Sequence, residues 1–135
     1  DLVELADRII AEVGMENLRD KPVRVLSGGQ KRRLGLAMEL VTHPKLLLCD
    51  EVTSGLDPRS EREIVRLLHD LSRKDGRIVL SVTHSLAHLE LYDSILVMHE
   101  GLIVEQGPTD RVLGAPEHPY TQKLLAAEQA LQARH

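Results

Sequence analysis

Two adjacent carboxylates, Asp50 and Glu51, directly follow an apolar run at residues 46–49. Such a run predicts a strand buried on both faces, which would deliver both acids to the edge of a sheet. In phosphoryl transfer, one acid commonly holds Mg²⁺ while a second group orients or deprotonates the attacking water. Because neighbouring residues of an extended chain point in opposite directions, this pair could fill both roles. An isolated acidic pair is more often only the solvated end of a strand.

A candidate anion site lies upstream, at Ser27-Gly28-Gly29-Gln30. Ser27 and Gln30 have the spacing of a capping box, which predicts the start of a helix. The two glycines leave backbone N–H groups uncovered at that helix terminus, where the dipole also favours a phosphate. A capped helix that binds nothing explains the same residues equally well.

Two further motifs follow the acids. Ser54-Gly55-Leu56-Asp57 precedes a proline and consists largely of ordinary turn residues. His84 follows a second apolar run at 78–82, so it is expected at the same sheet edge as Asp50 and Glu51. Taken singly, these are a plain turn and a histidine that starts a helix. The other histidines show no metal-ligand spacing beyond a weak pair, His84 and His88, which we interpret as incidental.

Composition narrows the classes of function. The chain has 135 residues, of which 42% are hydrophobic and 28% charged, and its net charge is −4. There is no apolar run long enough to span a membrane, no basic tract, no Trp and no Phe, which argues against membrane insertion and against nucleic-acid binding. The single cysteine, Cys49, lies in an apolar run and is expected to be a small buried hydrophobe.

Helical and strand-like segments alternate along the chain. We predict an α/β arrangement in three layers with a largely parallel sheet, whose carboxyl edge gathers the polar motifs. The segments are helices at 2–13, 27–42 and 64–71, strands at 46–49 and 78–82, a hairpin of 95–98 with 102–104, short helices capped by Ser85 and Thr109, and a helical tail from Pro119.

Together the motifs resemble a known family. The order Leu-Ser-Gly-Gly-Gln at 26–30, Leu-Leu-Leu-Cys-Asp-Glu at 46–51, Ser-Gly-Leu-Asp at 54–57 and Thr-His at 83–84 is similar to the second half of an ABC-type ATPase, the nucleotide-binding domain of ABC transporters. The resemblance covers about residues 2–112. It implies part of a P-loop NTPase-like three-layer sandwich: residues 1–113 form the C-terminal portion of the ATPase domain, with about 1–44 in the helical subdomain and 45–113 in the core. Residues 114–135 form a helical tail.

The resemblance also implies ligands and roles. ATP and Mg²⁺ would be the cofactors. Asp50 would match the Walker B aspartate, a Mg²⁺ partner through water, and Glu51 the catalytic glutamate that polarises the attacking water. His84 would match the switch histidine, which contacts the γ-phosphate.

Two motifs would act across a head-to-tail dimer of ATPase subunits. The signature motif would contact the γ-phosphate of ATP held by the opposite subunit, and the D-loop would cross the dimer interface. The signature residues are Ser27, Gly28, Gly29 and Gln30, and the D-loop residues are Ser54, Gly55, Leu56 and Asp57.

One departure from the family pattern dominates. No G-x-x-x-x-G-K-S/T phosphate loop occurs in these residues, so we expect a C-terminal half-domain that is inactive and only marginally stable alone, with an unpaired sheet edge and exposed apolar faces. A smaller departure is Val52, where the family usually has Pro. We expect that change to adjust the loop without abolishing the chemistry.

The resemblance implies the ATP-binding and hydrolysing part of an ABC transporter. Its partners would be a second ATPase subunit and a transmembrane permease domain or subunit, through which it would sit in the cytoplasm at the inner face of the membrane. The alternatives are a non-transport ABC ATPase and a non-catalytic remnant or regulatory module. Ser54-Gly55 favours the transporter type, and intact Glu51 and His84 argue against a remnant. Export and import stay open, because 38–42 looks exporter-like and His118-Pro119-Tyr120-Thr121 resembles the tail of peptide-importer ATPases.

Overall fold

A computed structural model describes residues 1–134, so His135, the last residue of the predicted tail, lies outside it. The chain divides into two units, with the boundary after Ser85. None of the helices in the described residues is long and apolar enough to cross a bilayer.

The first unit contains three helices and two parallel strands. In chain order they are α1 (Leu2–Glu12), α2 (Gly28–Leu40), β1 (Leu46–Asp50), α3 (Pro58–Ser72) and β2 (Ile78–Val82), with short 3₁₀ turns at Glu16–Leu18 and Val23–Val25. The strands pair in parallel register, from Leu46 opposite Ile78 to Asp50 opposite Val82. This pair confirms the parallel sheet that the sequence predicted at these segments.

Side chains that accept hydrogen bonds from backbone N–H groups fix where these helices begin. The Asp1 carboxylate accepts from the N–H of Val3 at α1, and the Asp57 carboxylate accepts from the N–H of Ser60 at α3. Such caps satisfy donors that the first helical turn leaves without partners. Pro58 occupies the first position of α3, where its missing N–H has no consequence. The third helix is therefore six residues longer at its start than predicted.

The core of this unit lies on one face of the sheet. Leu47 and Cys49 of β1 are buried against α2 and α3. The opposite face is exposed, so the predicted three-layer arrangement is present in these residues as two layers. The exposed apolar side chains are Leu46, Leu48, Ile78, Leu80 and Val82.

The second unit is built on an antiparallel hairpin. Its elements are β3 (Ser94–His99), β4 (Leu102–Pro108), α4 (Thr109–Gly114) and α5 (Pro119–Gln132), preceded by a 3₁₀ turn at Leu89–Leu91. Glu100 and Gly101 form the two-residue turn, and both have positive φ, as a type I′ hairpin requires. The hairpin and the tail helix confirm the prediction from sequence.

Two predicted helix caps in this region are wrong. No helix begins at Ser85, because its hydroxyl donates to the Glu61 carboxylate, and only the 3₁₀ turn at Leu89–Leu91 follows. Thr109 is the first residue of α4 and not its cap. Its hydroxyl donates to the carbonyl of Tyr92 at 2.6 Å, so the side chain anchors α4 to the preceding loop.

A buried carboxylate holds the start of α5. The Glu105 side chain, 4% exposed, accepts hydrogen bonds from the N–H groups of Glu117 (2.9 Å) and His118 (3.0 Å) and from the Arg111 guanidinium (3.3 Å). The two backbone N–H groups have the largest effect on the Glu105 carboxyl and, with smaller contributions from side chains that include Arg111, lower its pKa to about 2.

Candidate functional site

The acidic pair and the histidine segment predicted from the sequence lie at the carboxyl ends of β1 and β2. Asp50 is the last residue of β1 and is exposed. The next N–H, that of Glu51, donates to the carbonyl of Val82 at 2.7 Å and so continues the pairing with β2 by one bond. The two strand ends therefore deliver Asp50, Glu51 and the loop of His84 to one edge, as their sequence positions predicted.

The backbone turns sharply at Glu51. Its φ is +50°, in the left-handed region that non-glycine residues rarely adopt. The chain is therefore not extended at Glu51, and the strand alternation expected for Asp50 and Glu51 ends at Asp50.

Glu51 and His84 are in direct contact. The Nε2 atom of His84 lies 2.9 Å from the Oε1 atom of Glu51. The His84 side chain is 94% exposed and that of Glu51 is 39% exposed, so a ligand can reach both. This contact brings together two residues that lie 33 positions apart in the sequence.

The loop of His84 is tied to α3. The Ser85 hydroxyl donates to the Glu61 carboxylate at 2.5 Å, and the Ser85 N–H donates to the hydroxyl of Thr83 at 2.9 Å. These bonds hold the residues on either side of His84 while its ring stays open to solvent. No pattern in the sequence indicated the contact between Ser85 and Glu61.

The segment Ser54-Gly55-Leu56-Asp57 forms a compact loop between β1 and α3. The N–H of Ser54 donates to the carbonyl of Glu51 at 3.0 Å, and Gly55 has a φ of +78°. The hydroxyl and N–H of Ser60 both donate to the Asp57 carboxylate and lower its pKa. Asp57 is thus ionised and fixes the junction between the loop and α3.

The capping box at the start of α2 is present. The Ser27 N–H donates to the Gln30 side chain at 2.9 Å, and the Gln30 N–H donates to the Ser27 hydroxyl at 3.2 Å. Gly29, which lies between them, makes a close approach to α3 that the sequence did not reveal. A Cβ at Gly28 would lie 3.4 Å from Leu56, and one at Gly29 would lie 3.3 Å from the Cβ of Ser60.

Arg32 is a residue that the sequence analysis missed. Its Nη1 donates to the carbonyl of Val52 at 2.6 Å, and its Nη2 donates to the carbonyl of Ser54 at 2.8 Å. It therefore joins α2 to the loop that follows Glu51. The partners are main-chain carbonyls at least 20 residues away, which no side-chain pattern could have identified.

The donors at this edge suit some ligands and not others. Asp50 and Glu51 offer carboxylate oxygens, the ligands that Mg²⁺ prefers in combination with water and phosphate oxygens. Within residues 1–134, no group of three or more His, Cys, Asp or Glu side chains is arranged to hold a metal ion. Burial raises the pKa of Cys49 to about 11, which agrees with the prediction of a small buried hydrophobe.

Parallel strands that end beside two acids and a histidine, with helices on one face, form an α/β domain, and its matches among solved structures put it in the P-loop NTPase class. Among solved structures, cbiO1 from Clostridium perfringens, described as part of the ABC transporter complex cbiONQ, is 36% identical with a TM-score of 0.79. The match covers 84% of this chain and 46% of that one. MJ1267, an ATP-binding cassette of an ABC transporter, is 28% identical with a TM-score of 0.79, over 91% of this chain and 49% of that one.

Sequence comparisons agree with the structural ones. The family model "ABC transporter" matches residues 3–54. Methionine import ATP-binding proteins MetN are similar: that of Bordetella pertussis is 42% identical over 125 residues, which is 92% of this chain and 34% of that protein. That of Cereibacter sphaeroides is 44% identical over 119 residues, which is 87% of this chain and 34% of that protein. The chain belongs to the ATP-binding family of ABC transporters and spans about a third of the length of these curated relatives.

Proposed function

We propose that this chain is part of the ATP-binding and hydrolysing subunit or domain of an ABC transporter. The observation that carries the proposal is the 2.9 Å contact between His84 Nε2 and Glu51 Oε1, at the sheet edge where Asp50 ends β1. It places a carboxylate that can polarise water beside a ring that can donate a hydrogen bond to phosphate.

In this proposal the three residues divide the chemistry of hydrolysis. Glu51 orients or deprotonates the water that attacks the γ-phosphate. His84, with its exposed ring, contacts the γ-phosphate and holds Glu51 through their 2.9 Å contact. Asp50 binds Mg²⁺ through water, and the ion would neutralise charge on the phosphate oxygens.

The start of α2 is proposed to bind ATP held by a second ATPase subunit. Support comes from the exposure of Ser27 and Gly28 at a helix N-terminus, where backbone N–H groups and the helix dipole favour phosphate. The residues Ser27, Gly28, Gly29 and Gln30 form this surface. The neighbouring D-loop residues Ser54, Gly55, Leu56 and Asp57 are proposed to lie at the interface between the two subunits.

A phosphate cradle has to come from residues outside these 135, because the chain contains no G-x-x-x-x-G-K-S/T sequence. We therefore propose that the chain alone hydrolyses little or no ATP. Residues 1–44 would belong to the helical subdomain, 45–113 to the ATPase core and 114–135 to a helical tail.

We further propose an importer. The support is that the curated relatives described above are named methionine import proteins and that the tail carries His118-Pro119-Tyr120-Thr121. The other partner would be a transmembrane permease, which would hold the chain at the inner face of the membrane and select the substrate.

Glu51→Gln in the full-length protein tests the catalytic assignment. The amide keeps the size of the side chain but cannot accept a proton, so turnover should fall at least about a hundredfold while ATP still binds. Nucleotide binding and phosphate release are measured in parallel. Glu16→Gln, the same change at an exposed turn residue, is the control. Near-normal turnover in Glu51→Gln would refute the assignment.

Ser27→Arg tests the proposed contact between subunits. The longer side chain would crowd the phosphate held by the opposite subunit, so ATP should no longer drive dimerisation in sedimentation or light scattering. Unchanged dimerisation would contradict the proposed contact between the signature motif and ATP of the opposite subunit.

A further inference from the structure

Arg32 supplies half of the hydrogen bonds that satisfy four successive carbonyls after β1. The carbonyls of Glu51 and Thr53 accept from the loop's own N–H groups, those of Ser54 (3.0 Å) and Leu56 (3.2 Å). The alternate carbonyls, at positions 52 and 54, accept from the two terminal nitrogens of Arg32. The loop therefore cannot complete its own hydrogen bonding without a side chain from α2.

The geometry of the contact suits arginine in particular. A guanidinium group is a rigid planar fork whose separate nitrogens can bond two acceptors at once, and its charge strengthens both bonds. The distances of 2.6 and 2.8 Å are those of charge-assisted hydrogen bonds. A lysine has one nitrogen and cannot reproduce the paired contact.

The hydrogen bonds of Arg32 lie directly beside Glu51 and the D-loop. Val52 directly follows Glu51, whose backbone is in the left-handed region, so holding the Val52 carbonyl fixes the direction in which the chain leaves Glu51. Ser54 begins the D-loop, and Arg32 lies five residues after Ser27 on the same end of α2. One side chain thus links the start of α2, the proposed catalytic carboxylate and the D-loop.

We propose that Arg32 is a positioning residue that sets the orientation of the Glu51 carboxylate and the shape of the D-loop from α2. The proposal rests on the function proposed above for Glu51 and for residues 54–57. The guanidinium of Arg32 donates to main-chain carbonyls of the loop, and Arg32 is not a catalytic residue.

The test compares Arg32→Gln and Arg32→Lys with wild type in the full-length protein. In Arg32→Gln, amide hydrogen exchange at Ser54 and Leu56 should accelerate about tenfold, because the loop loses two charge-assisted bonds, whereas the amides of β1 and β2 should keep their rates. The kcat for ATP should fall about tenfold or more with KM within about twofold, since misplaced catalytic groups act on turnover. Arg32→Lys can keep one of the two hydrogen bonds, so its exchange rates and its kcat should lie between those of wild type and Arg32→Gln.

Arg66→Gln is the matched control, because Arg66 is an exposed arginine of α3 and loses the same charge. Unchanged exchange at Ser54 and Leu56 in Arg32→Gln would overturn the proposal. So would equal acceleration throughout β1 and β2, which would mark Arg32 as a general stabiliser. If Arg32→Gln does not fold, the exchange pattern of Arg32→Lys decides. A wild-type protein without ATPase activity would refute the proposed function, while the exchange data would still test the Arg32 contact.

Discussion

Arg77 Nη1 lies 3.2 Å from Glu12 Oε1, and this ion pair joins the end of α1 to the residue before β2. The Arg77 side chain is only 3% exposed and that of Glu12 is 19% exposed. The same guanidinium donates to the carbonyls of Leu71 (3.3 Å) and Pro44 (3.4 Å). A single buried cation therefore binds acceptors from three separate segments of the first unit.

Replacing this cation should destabilise the first unit strongly. In Arg77→Met, the Glu12 carboxylate loses its buried cation and the carbonyls of Leu71 and Pro44 each lose one hydrogen bond, so the free energy of unfolding in urea should fall by about 3 kcal/mol. Arg66→Gln should change it by no more than about 0.5 kcal/mol. A loss of stability in Arg77→Met as small as that of the control would show that water hydrates the Glu12 carboxylate once its partner is removed.

The left-handed backbone at Glu51 predicts an unusual order of variants. Glu51→Gly should be more stable than Glu51→Ala by about 1 kcal/mol, because only glycine adopts a φ of +50° without a steric penalty. Both variants lose the His84 contact, so their difference in urea unfolding reports the backbone alone. At helical Arg66 the order should reverse, with glycine about 1 kcal/mol less stable than alanine. The same order at both positions would contradict a strained backbone at Glu51.

Acid should weaken the hydrogen bonds by which the Glu105 carboxylate stabilises the start of α5. Its pKa in the folded state is about 2, against an ordinary value of 4.5, so folding favours the ionised form. The stabilisation it contributes is fully present above pH 4.5 and is lost as the pH falls towards 2. The protection factors of the α5 amides, which correct for the intrinsic pH dependence of exchange, should therefore fall over this range in wild type. In Glu105→Gln, protection should already be lower at pH 7 and should change less with acid; identical pH profiles of protection would contradict the assignment.

Cys49 should resist alkylation in the folded chain. Its side chain is buried and its pKa is raised to about 11, so at pH 8 only about one thiol in a thousand is ionised. Reaction with iodoacetamide, followed by mass spectrometry, should be at least about a hundredfold faster in concentrated urea than in buffer. Equal rates in the two solvents would mean that β1 does not bury this thiol.

The predictions from sequence succeeded where the determinants are local. The apolar runs at 46–49 and 78–82 predicted both parallel strands to within one residue, because consecutive apolar side chains are typical of a buried strand. The capping box at Ser27 and Gln30 gave the start of α2 for the same reason. The start of α3 was missed because Asp57-Pro58 was interpreted as a loop, although an N-cap followed by proline is also a helix signal.

The failures involve partners far apart in the chain. Ser85 was expected to cap a helix, but its hydroxyl bonds Glu61, 24 residues earlier. The pairing of Arg32 with the carbonyls after Glu51 depends on how α2 packs, and main-chain acceptors carry no sequence signal. The left-handed turn at Glu51 was likewise invisible, because glutamate gives no hint of a positive φ.

The close approach of Gly29 to Ser60 has a consequence at the level of the gene. Every missense codon at position 29 adds a Cβ, which would stand 3.3 Å from the Cβ of Ser60. Ser60 in turn donates to the Asp57 carboxylate through both its hydroxyl and its N–H. Any substitution at codon 29 therefore requires Ser60 or α2 to give way by a few tenths of an ångström, whatever the chemistry of the new side chain.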